Sequence, residues 1–463
     1  MPRYAKAKNL VTTLVDKTAK MIEQGTLKPG IRLPSIREAA SNNSVSKNTM
    51  AEVYDRLVGQ GYLTSKQGSG FYVNINRPST AHRAAPKQAE ALSIVSLLRH
   101  QLKQDHDIRV GDGRLPFDWV EGSEVGAFFR NPKSLKDTNL KDGYGSPMGY
   151  RPLRELISLT LAERSITATP DQILMTNGAN HALDLVIRHL LLPGDTVLVD
   201  EPGYYPLFGK LKLENINMVG VRRTEDGPDL DDLADKAARL KPKMFFTQSL
   251  AQNPTGSTIT IATAHKVLSI AEQHDMYVVE DDPFADVMTQ SLPRIATLDQ
   301  LERVIYIGTY SKTLSANLRV GYLAARPDLV AALCDLKMIT MVSSSEYGER
   351  LIYNLMYKGH YVRHLRRLKK RIDKARNDVL NVLDGLDFQK VHQPTGGYYC
   401  WVQLPDGIDE AQLVQRANEQ SIFLAPGSVF SLDKDSTDSF MRLNIAHAAH
   451  PTFIAFMQEI LKK

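Results

Sequence analysis

A lysine becomes a useful nucleophile where its amine is held beside a carbonyl in a built pocket, and Lys312 has such surroundings. The apolar run Val304-Ile305-Tyr306-Ile307 leads straight into Gly308-Thr309-Tyr310-Ser311-Lys312, with Arg319 seven residues on. A lone lysine usually belongs to the surface. One at a strand end, with hydroxyls before it and an arginine nearby, is a candidate Schiff-base lysine. Four further apolar runs end the same way. Ile173-Leu174-Met175-Thr176 precedes Asn177-Gly178-Ala179-Asn180 and a helix, where first-turn amides can face a phosphate. Thr196-Val197-Leu198-Val199 precedes Glu201-Pro202-Gly203-Tyr204-Tyr205, whose aromatics can stack on a flat ring. Met244-Phe245-Phe246-Thr247 precedes Asn253-Pro254-Thr255-Gly256, which leaves Asn253 free to donate inward. Tyr277-Val278-Val279 precedes Glu280-Asp281-Asp282-Pro283-Phe284, where a buried acid could hold a protonated ring nitrogen. Each motif alone also reads as a turn, a cap or ordinary packing.

The elements that must position these residues follow from their spacing. Short apolar runs alternate with helical stretches from about residue 96 to 463, which predicts an α/β domain with a largely parallel sheet. Ligands of such sheets bind beyond the carboxyl ends of the strands, so the five motifs converge. One cofactor uses all five. Pyridoxal 5'-phosphate (PLP) needs an amine for its aldehyde, a carboxylate for its pyridinium and a cup for its phosphate. A nucleotide-binding P-loop is excluded, since no G-x-x-x-x-G-K-[ST] surrounds Lys312.

The charge points to a second module. The chain carries +5 overall, yet residues 1–78 hold twelve Lys and Arg against five Asp and Glu. A basic excess confined to one small module suits a polyanion. Leu10, Leu14, Thr18 and Ile22 recur at helical spacing and predict a first helix closed by Gly25 and Pro29-Gly30. Ser35-Ile36-Arg37-Glu38 is a capping box for a second helix. Ser46 caps a third, whose apolar face is Met50, Val53, Tyr54 and Leu57. Strands are expected around 62–64 and 70–73, with the turn 65–69 between them. Three helices and a hairpin make a winged helix-turn-helix. Its third helix offers base contacts to a major groove, and Lys66 and Gly68 on the wing turn offer phosphate contacts.

Residues 1–75 are thus the DNA-binding domain, 76–95 a linker rich in Pro, Ser and Ala, and 96–463 the cofactor-binding domain. Cys334 and Cys400 are the only cysteines, so neither a disulfide framework nor a zinc site is expected. No apolar run approaches the roughly 20 residues of a membrane span. The first residues lack the apolar core of a signal peptide. The expectation is a cytoplasmic protein with no metal and no membrane partner.

The words of the first module resemble the GntR-type winged helix: Leu33 to Glu38, Val45 to Thr49, Leu57 to Gly61, and Gln67-Gly68-Ser69-Gly70. That resemblance implies DNA contacts at Arg37, Ser46, Lys47, Asn48, Thr49 and Gly68. Lys47 replaces the more usual arginine and cannot make its bidentate fork to guanine. From residue 108 onward the chain resembles class I aminotransferases of PLP fold type I. The matching words are Tyr144 to Gly149 with Leu153-Arg154, Asn253 to Gly256, Ser311-Lys312 with Arg319-Val320-Gly321, Gly396-Gly397-Tyr398, Ala425 to Ser428, and Arg442-Leu443. In this order the two parts look like the MocR/GabR regulators.

The resemblance assigns roles. Lys312 forms the Schiff base and Asp281 pairs with the pyridinium. Asn253 bonds the phenolic oxygen. Tyr204 or Tyr205 stacks on the ring, with Tyr205 preferred. Gly178, Ala179, Asn180, Thr309 and Arg319 hold the phosphate, and Tyr144 reaches the phosphate of the other subunit of a homodimer. Arg442 clamps an effector carboxylate. Two departures stand out. Phe284 occupies the place of a tyrosine that bonds the phenolic oxygen in many relatives, which weakens the case for true catalysis. Leu207 occupies the place of a second carboxylate-binding arginine in the GABA-responsive member. The run His364 to Arg371 is read as an exposed basic helix face.

The expected function is a PLP-dependent transcription regulator that binds an operator and senses an amine, an amino acid or PLP itself at Lys312. The alternative is an active aminotransferase with an accessory winged helix.

Overall fold

The computed structural model describes residues 3–23, 26–28, 30–66, 69–74, 98–99, 102, 105–120, 143–288, 292–386, 388, 390–392, 394, 396–432 and 439–461. The chain divides into two compact units, Met1–Ala84 and Ala85–Lys463. The expected linker 76–95 and Gly68 of the wing turn lie outside the described residues.

The first unit holds α1 (Arg3–Glu23), α2 (Ile36–Asn42), α3 (Lys47–Gly59), β1 (Leu63–Lys66) and β2 (Gly70–Val73). Met50, Val53, Tyr54 and Leu57 of α3 are all buried, as their spacing predicts. The buried stripe of α1 differs from expectation. It is Val11, Val15 and Ala19, one position round from Leu14, Thr18 and Ile22, which are only half-buried at its edge. Two apolar i, i+4 rows run side by side on this helix, and packing against α3 selects the row with the smaller, β-branched residues. β1 pairs antiparallel with β2, Leu63 opposite Val73 and Lys66 opposite Gly70. The first strand therefore runs two residues further than expected. The Leu33 amide donates to the Phe71 carbonyl at 2.8 Å, and the Tyr54 hydroxyl donates to the Pro34 carbonyl at 2.9 Å. These bonds pin the segment entering α2 to the wing and to α3.

The second unit is built on an eight-stranded sheet. Its strands are β3 (Ile173–Thr176), β4 (Thr196–Glu201), β5 (Asn217–Thr224), β6 (Gly227–Pro228), β7 (Met244–Thr247), β8 (Tyr277–Asp282), β9 (Val304–Thr309) and β10 (Gly321–Ala324), in the order β3-β10-β9-β8-β7-β4-β5-β6. The central pairs β9-β8, β8-β7, β7-β4 and β4-β5 are parallel, while β10 runs antiparallel to both its neighbours. The sheet is mixed, with the parallel core that the sequence predicts. β7 is buried along its whole length, and so is β9, as strands covered on both faces must be. A smaller antiparallel sheet follows: β11 (Lys390–His392), β12 (Tyr399–Gln403), β13 (Ala425–Pro426) and β14 (Phe440–Asn444), in the order β11-β12-β14-β13. The helix His360–Asp384 precedes it. Among the described residues no helix is long and apolar enough to cross a membrane.

β8 is longer than expected. Asp281 and Asp282 do not follow the strand; they end it, paired with Ile307 and Gly308 of β9. Ladder bonding persists through residues that look like a cap because the neighbouring strand is equally long.

Leu57 is wholly buried at the centre of the first unit. Leu57→Ala is expected to cost this unit about 2–5 kcal/mol. Operator binding should then be lost while the melting transition of the second unit stays in place, as differential scanning calorimetry would show.

Candidate functional site

In the first unit the candidate DNA contacts gather at the start of α3. Ser46 caps it, its Oγ accepting from the Thr49 amide at 3.1 Å and lying 2.8 Å from Thr49 Oγ1. Lys47 and Asn48 are exposed in the first turn, where the helix dipole favours an anion. Arg37 is exposed on α2, whose cap Ser35 accepts from the Glu38 amide at 3.2 Å. Lys66 is exposed at the end of β1, its Nζ 5.0 Å from the centre of the Tyr72 ring.

In the second unit a cleft of about 430 Å³ opens at the carboxyl ends of the strands. It gathers Lys312, Asp281, Asn253, Tyr204, Tyr205 and Arg442, as well as Ala179, Asn180, Thr309 and Arg319. Five strand ends thus do converge on one space, and the volume suits a cofactor-sized ligand. Tyr144 is not among the lining residues and is 86% exposed on its own chain.

The part of the cleft around Ala179 and Asn180 is shaped by backbone. Gly178 caps the helix Ala179–Leu190 with a φ of 78°, a conformation that disfavours a side chain. A Cβ there would lie 2.9 Å from Arg319 Nη2. The first-turn amides of Ala179 and Asn180 have no intrahelical acceptor. Arg319 reaches across to donate from Nη2 to the Asn177 carbonyl at 2.8 Å. Thr309 Oγ1 accepts from the Ser311 amide at 3.2 Å, which tightens the turn leading to Lys312.

The ring end is governed by a buried acid. Asp281 Oδ2 accepts from Gln248 Nε2 at 2.8 Å, while Oδ1 is buried with no partner among the described residues. Burial pushes this carboxyl up to about 6, opposed by the Gln248 hydrogen bond and reinforced by Asp282. Such an oxygen, orphaned in a cleft, fits a cationic ring nitrogen. Lys312 Nζ donates to the Gly113 carbonyl at 2.6 Å and lies 3.5 Å from the Tyr399 hydroxyl. Asn253 Oδ1 accepts from Arg442 Nη1 at 2.9 Å, which leaves Nδ2 as the donating end of the amide. Arg442 Nη2 donates to the Gly111 carbonyl at 2.8 Å, and its buried Nε has no partner among the described residues. The guanidinium lies over the rings of Tyr399 and Phe430, at 4.3 and 4.8 Å from their centroids. An orphan acceptor, unpaired first-turn amides and an amine lining one cleft fit PLP.

The two tyrosines differ in place. The Tyr204 hydroxyl lies 3.4 Å from Asn180 Oδ1, and burial first, then the carboxylate of Asp281, holds its phenol above the usual range. Tyr205 packs edge-on against Phe430 at 5.4 Å, and burial outweighs the pull of Arg442 on its phenol. Three contributors were not anticipated from sequence: Gln248, Gly113 and Tyr399. Gln248 orients both Asp281 and the Asn253 amide, to which its Oε1 is bonded at 2.8 Å. Tyr399 follows the recognised word Gly396-Gly397-Tyr398, so only the strand register of β12 could have singled it out.

Comparison with known proteins matches the same two parts. Residues 10–73 match the model described as bacterial regulatory proteins, gntR family, and residues 115–453 match aminotransferase class I and II. The HTH-type transcriptional regulator NorG of Staphylococcus aureus (strain USA300) is 25% identical over 438 residues, covering 91% of this chain and 99% of NorG. The uncharacterized HTH-type transcriptional regulator YdfD of Bacillus subtilis (strain 168) is 25% identical over 468 residues, covering 97% of this chain and 94% of its own. Among solved structures, the α-aminoadipate aminotransferase LysN of Thermus thermophilus, complexed with N-(5'-phosphopyridoxyl)-L-leucine, superposes with a TM-score of 0.72 at 25% identity. It covers 82% of this chain and 97% of its own. The kynurenine aminotransferase of Pyrococcus horikoshii, complexed with PMP, gives 0.72 at 26% identity, covering 83% and 96%.

The raised pKa of Asp281 has a stability consequence with a definite sign. The folded protein holds this proton more tightly than the unfolded chain, so stability falls as pH rises from about 4 to 6 and stays lower above. The penalty is about 2–3 kcal/mol at neutral pH. Asp281→Asn is therefore expected to raise the urea midpoint of the cofactor-free protein at pH 7.5, with little difference near pH 4. Equal midpoints at both pH values would show that Asp281 carries no such burden.

Proposed function

The chain belongs to the family that joins a GntR-type winged helix to a class I aminotransferase-like domain, as the MocR/GabR regulators do, and we propose that this transcription regulator carries PLP on Lys312. We further read the ligand that sets its hold on an operator as a small amine, an amino acid or PLP itself. The observation that carries this reading is the orphaned, buried Oδ1 of Asp281 in the same cleft as the Lys312 amine. PLP when bound supplies an aldehyde that condenses reversibly with primary amines.

The chain's own groups do the rest. Lys312 presents its amine from the end of the β9 turn, held by Gly113. Asp281 holds a proton on the ring nitrogen, with Gln248 keeping its other oxygen occupied. Asn253 donates to the ring oxygen because Arg442 takes its acceptor end. The amides of Ala179 and Asn180, the Thr309 hydroxyl and Arg319 receive the phosphate. Tyr204 meets Asn180 and feels the charge of Asp281, so we assign the stacking role to Tyr204 rather than Tyr205. Tyr205 then walls the Arg442 side. A carboxylate of the effector draws Arg442 away from Asn253 and Gly111, which links ligand capture to the donor on the ring. Tyr144 completes the phosphate cup of a partner in a homodimer. Ser46, Lys47, Asn48, Thr49, Arg37, Lys66 and Gly68 contact the operator.

The aminotransferase reading is favoured by the fold itself, which superposes on that of the aminotransferase LysN with a TM-score of 0.72. The visible absorption band of the purified protein, titrated with amines and amino acids, separates the two. A stable shift with one compound, absent in Lys312→Ala and accompanied by altered operator affinity, is the outcome expected. Bleaching restored by a keto acid would make the protein a working aminotransferase. For the operator complex, Lys47→Ala is expected to lower the slope of log K against log salt by about 1. An unchanged slope would remove Lys47 from the phosphate contacts.

A further inference from the structure

The second unit contains another cavity, of about 460 Å³, that the cofactor reading does not use. It lies beside the helix Arg151–Glu163 and the helix His360–Asp384, with Tyr310 in its wall two residues before Lys312. Leu156, Leu159, Met288, Met356 and Leu365 make most of its surface apolar. Thioethers and aromatic rings among apolar side chains accept flat or branched hydrocarbon bodies.

The charges inside are sorted. Asp286 Oδ1 accepts from Arg164, and Asp286 Oδ2 accepts from the Tyr361 hydroxyl at 2.5 Å. Arg294 is paired with Asp282 at 2.5 Å. Lys369 is left over. It is half-buried in the wall, and among the described residues it has neither a hydrogen bond nor an ion pair. Burial and the Arg164 charge both press on its ammonium, and Asp286 and Asp373, the latter paired with Arg376, only partly offset them. The one other acid of the wall, Glu163, is exposed. The interior thus has a cation without a partner and an acid with both oxygens occupied. It can receive a carboxylate, whereas the one acid left to meet an ammonium group, Glu163, is exposed.

We infer that this cavity is a second ligand site, for a small monocarboxylate with an aromatic or branched apolar body and no amine, bound through Lys369. Its wall touches the Lys312 turn directly. The Tyr361 hydroxyl bridges Asp286 and Thr313 Oγ1, the latter at 2.8 Å, and His364 Nε2 lies 2.5 Å from the Thr313 carbonyl. Thr313 is the residue after Lys312. A ligand that displaces Tyr361 therefore moves the backbone from which Lys312 projects. The site itself stands without the cofactor, and only its link to Lys312 rests on the reading given above.

The test is isothermal titration calorimetry of the full chain with 3-phenylpropionate, which has no amine to react with an aldehyde. Saturable binding at one site per chain is expected. Lys369→Met should weaken it at least tenfold, and Lys369→Arg should retain it. Circular dichroism of each variant checks that it is folded. Absence of saturable heat overturns the site, as does binding indifferent to Lys369→Met. In cofactor-loaded protein the probe should shift the visible band. Binding with the band unmoved would overturn the link to Lys312.

Discussion

A carboxylate taken out of water must find a cation or keep a proton, and this requirement organises the second unit. Three acids stand in a row at the end of β8, and each meets the requirement differently. Glu280 is wholly buried and accepts from Ser249 Oγ and from the Ile295 and Ala296 amides, yet burial outweighs these donors and pushes its carboxyl above the usual range. Asp282 pairs with Arg294 and accepts from the Tyr306 hydroxyl at 2.8 Å. Asp281, between them, has one amide donor and one empty oxygen. Strand alternation sends Asp281 away from the side of its two neighbours. The structural acids therefore face solved partners while the middle one faces the cleft.

The surroundings of Asp281 form one connected set of hydrogen bonds rather than separate contacts. Gln248 from the β7 end holds Asp281 and the Asn253 amide, Asn253 accepts from Arg442 of β14, and Arg442 donates to Gly111. Gly111 in turn approaches the small sheet so closely that a Cβ on it would lie 2.4 Å from the Ala425 amide nitrogen. The large and small sheets are thereby tied together at the cleft. A group that draws Arg442 away acts on Asn253 in the same step. Networks of this kind, fully satisfied, hold one geometry; with one member displaced they rearrange.

Much of the cleft lining was legible because it follows or ends apolar runs, and the end of a parallel strand is where an α/β fold exposes its side chains. Lys312, Asp281, Asn253 and Gly178 were read from that rule alone. What escaped was set by packing. The α1 stripe moved by one position because two apolar rows compete on the same helix, and only the partner helix decides between them. Gln248 lies in the loop after β7 with no distinctive neighbours, and its place between Asp281 and Asn253 depends on how that loop folds. Tyr399 sits on β12, one residue after a tyrosine that looks equivalent, and register alone separates them. His364 seemed part of an exposed basic face, yet it is buried and bonded to Thr313, because the helix His360–Asp384 turns that position toward the Lys312 turn.

Phe284 and Tyr399 together bear on whether such a cleft turns over or holds its ligand. Phe284 is buried with its ring edge-on to Tyr398 and Tyr399, at 4.9 and 5.5 Å between centroids, so it supplies shape and no polar atom. The hydroxyls of Tyr398 and Tyr399 both donate to the Gly113 carbonyl that receives Lys312, at 3.4 and 2.9 Å, and that of Tyr399 lines the cleft. A hydroxyl at the ring oxygen lowers that oxygen's basicity. One at the lysine amine instead steadies the amine. The two placements favour different behaviour: the first eases successive proton transfers, whereas the second keeps the lysine in position to be replaced and to return. A regulator requires the exchanged ligand to persist long enough to shift a conformational equilibrium, and the shift can be no larger than the ligand's differential affinity for the two states. In the proposed reading, a hydroxyl at the lysine rather than at the ring suits that requirement, with Asp281 and Arg442 lining the same cleft.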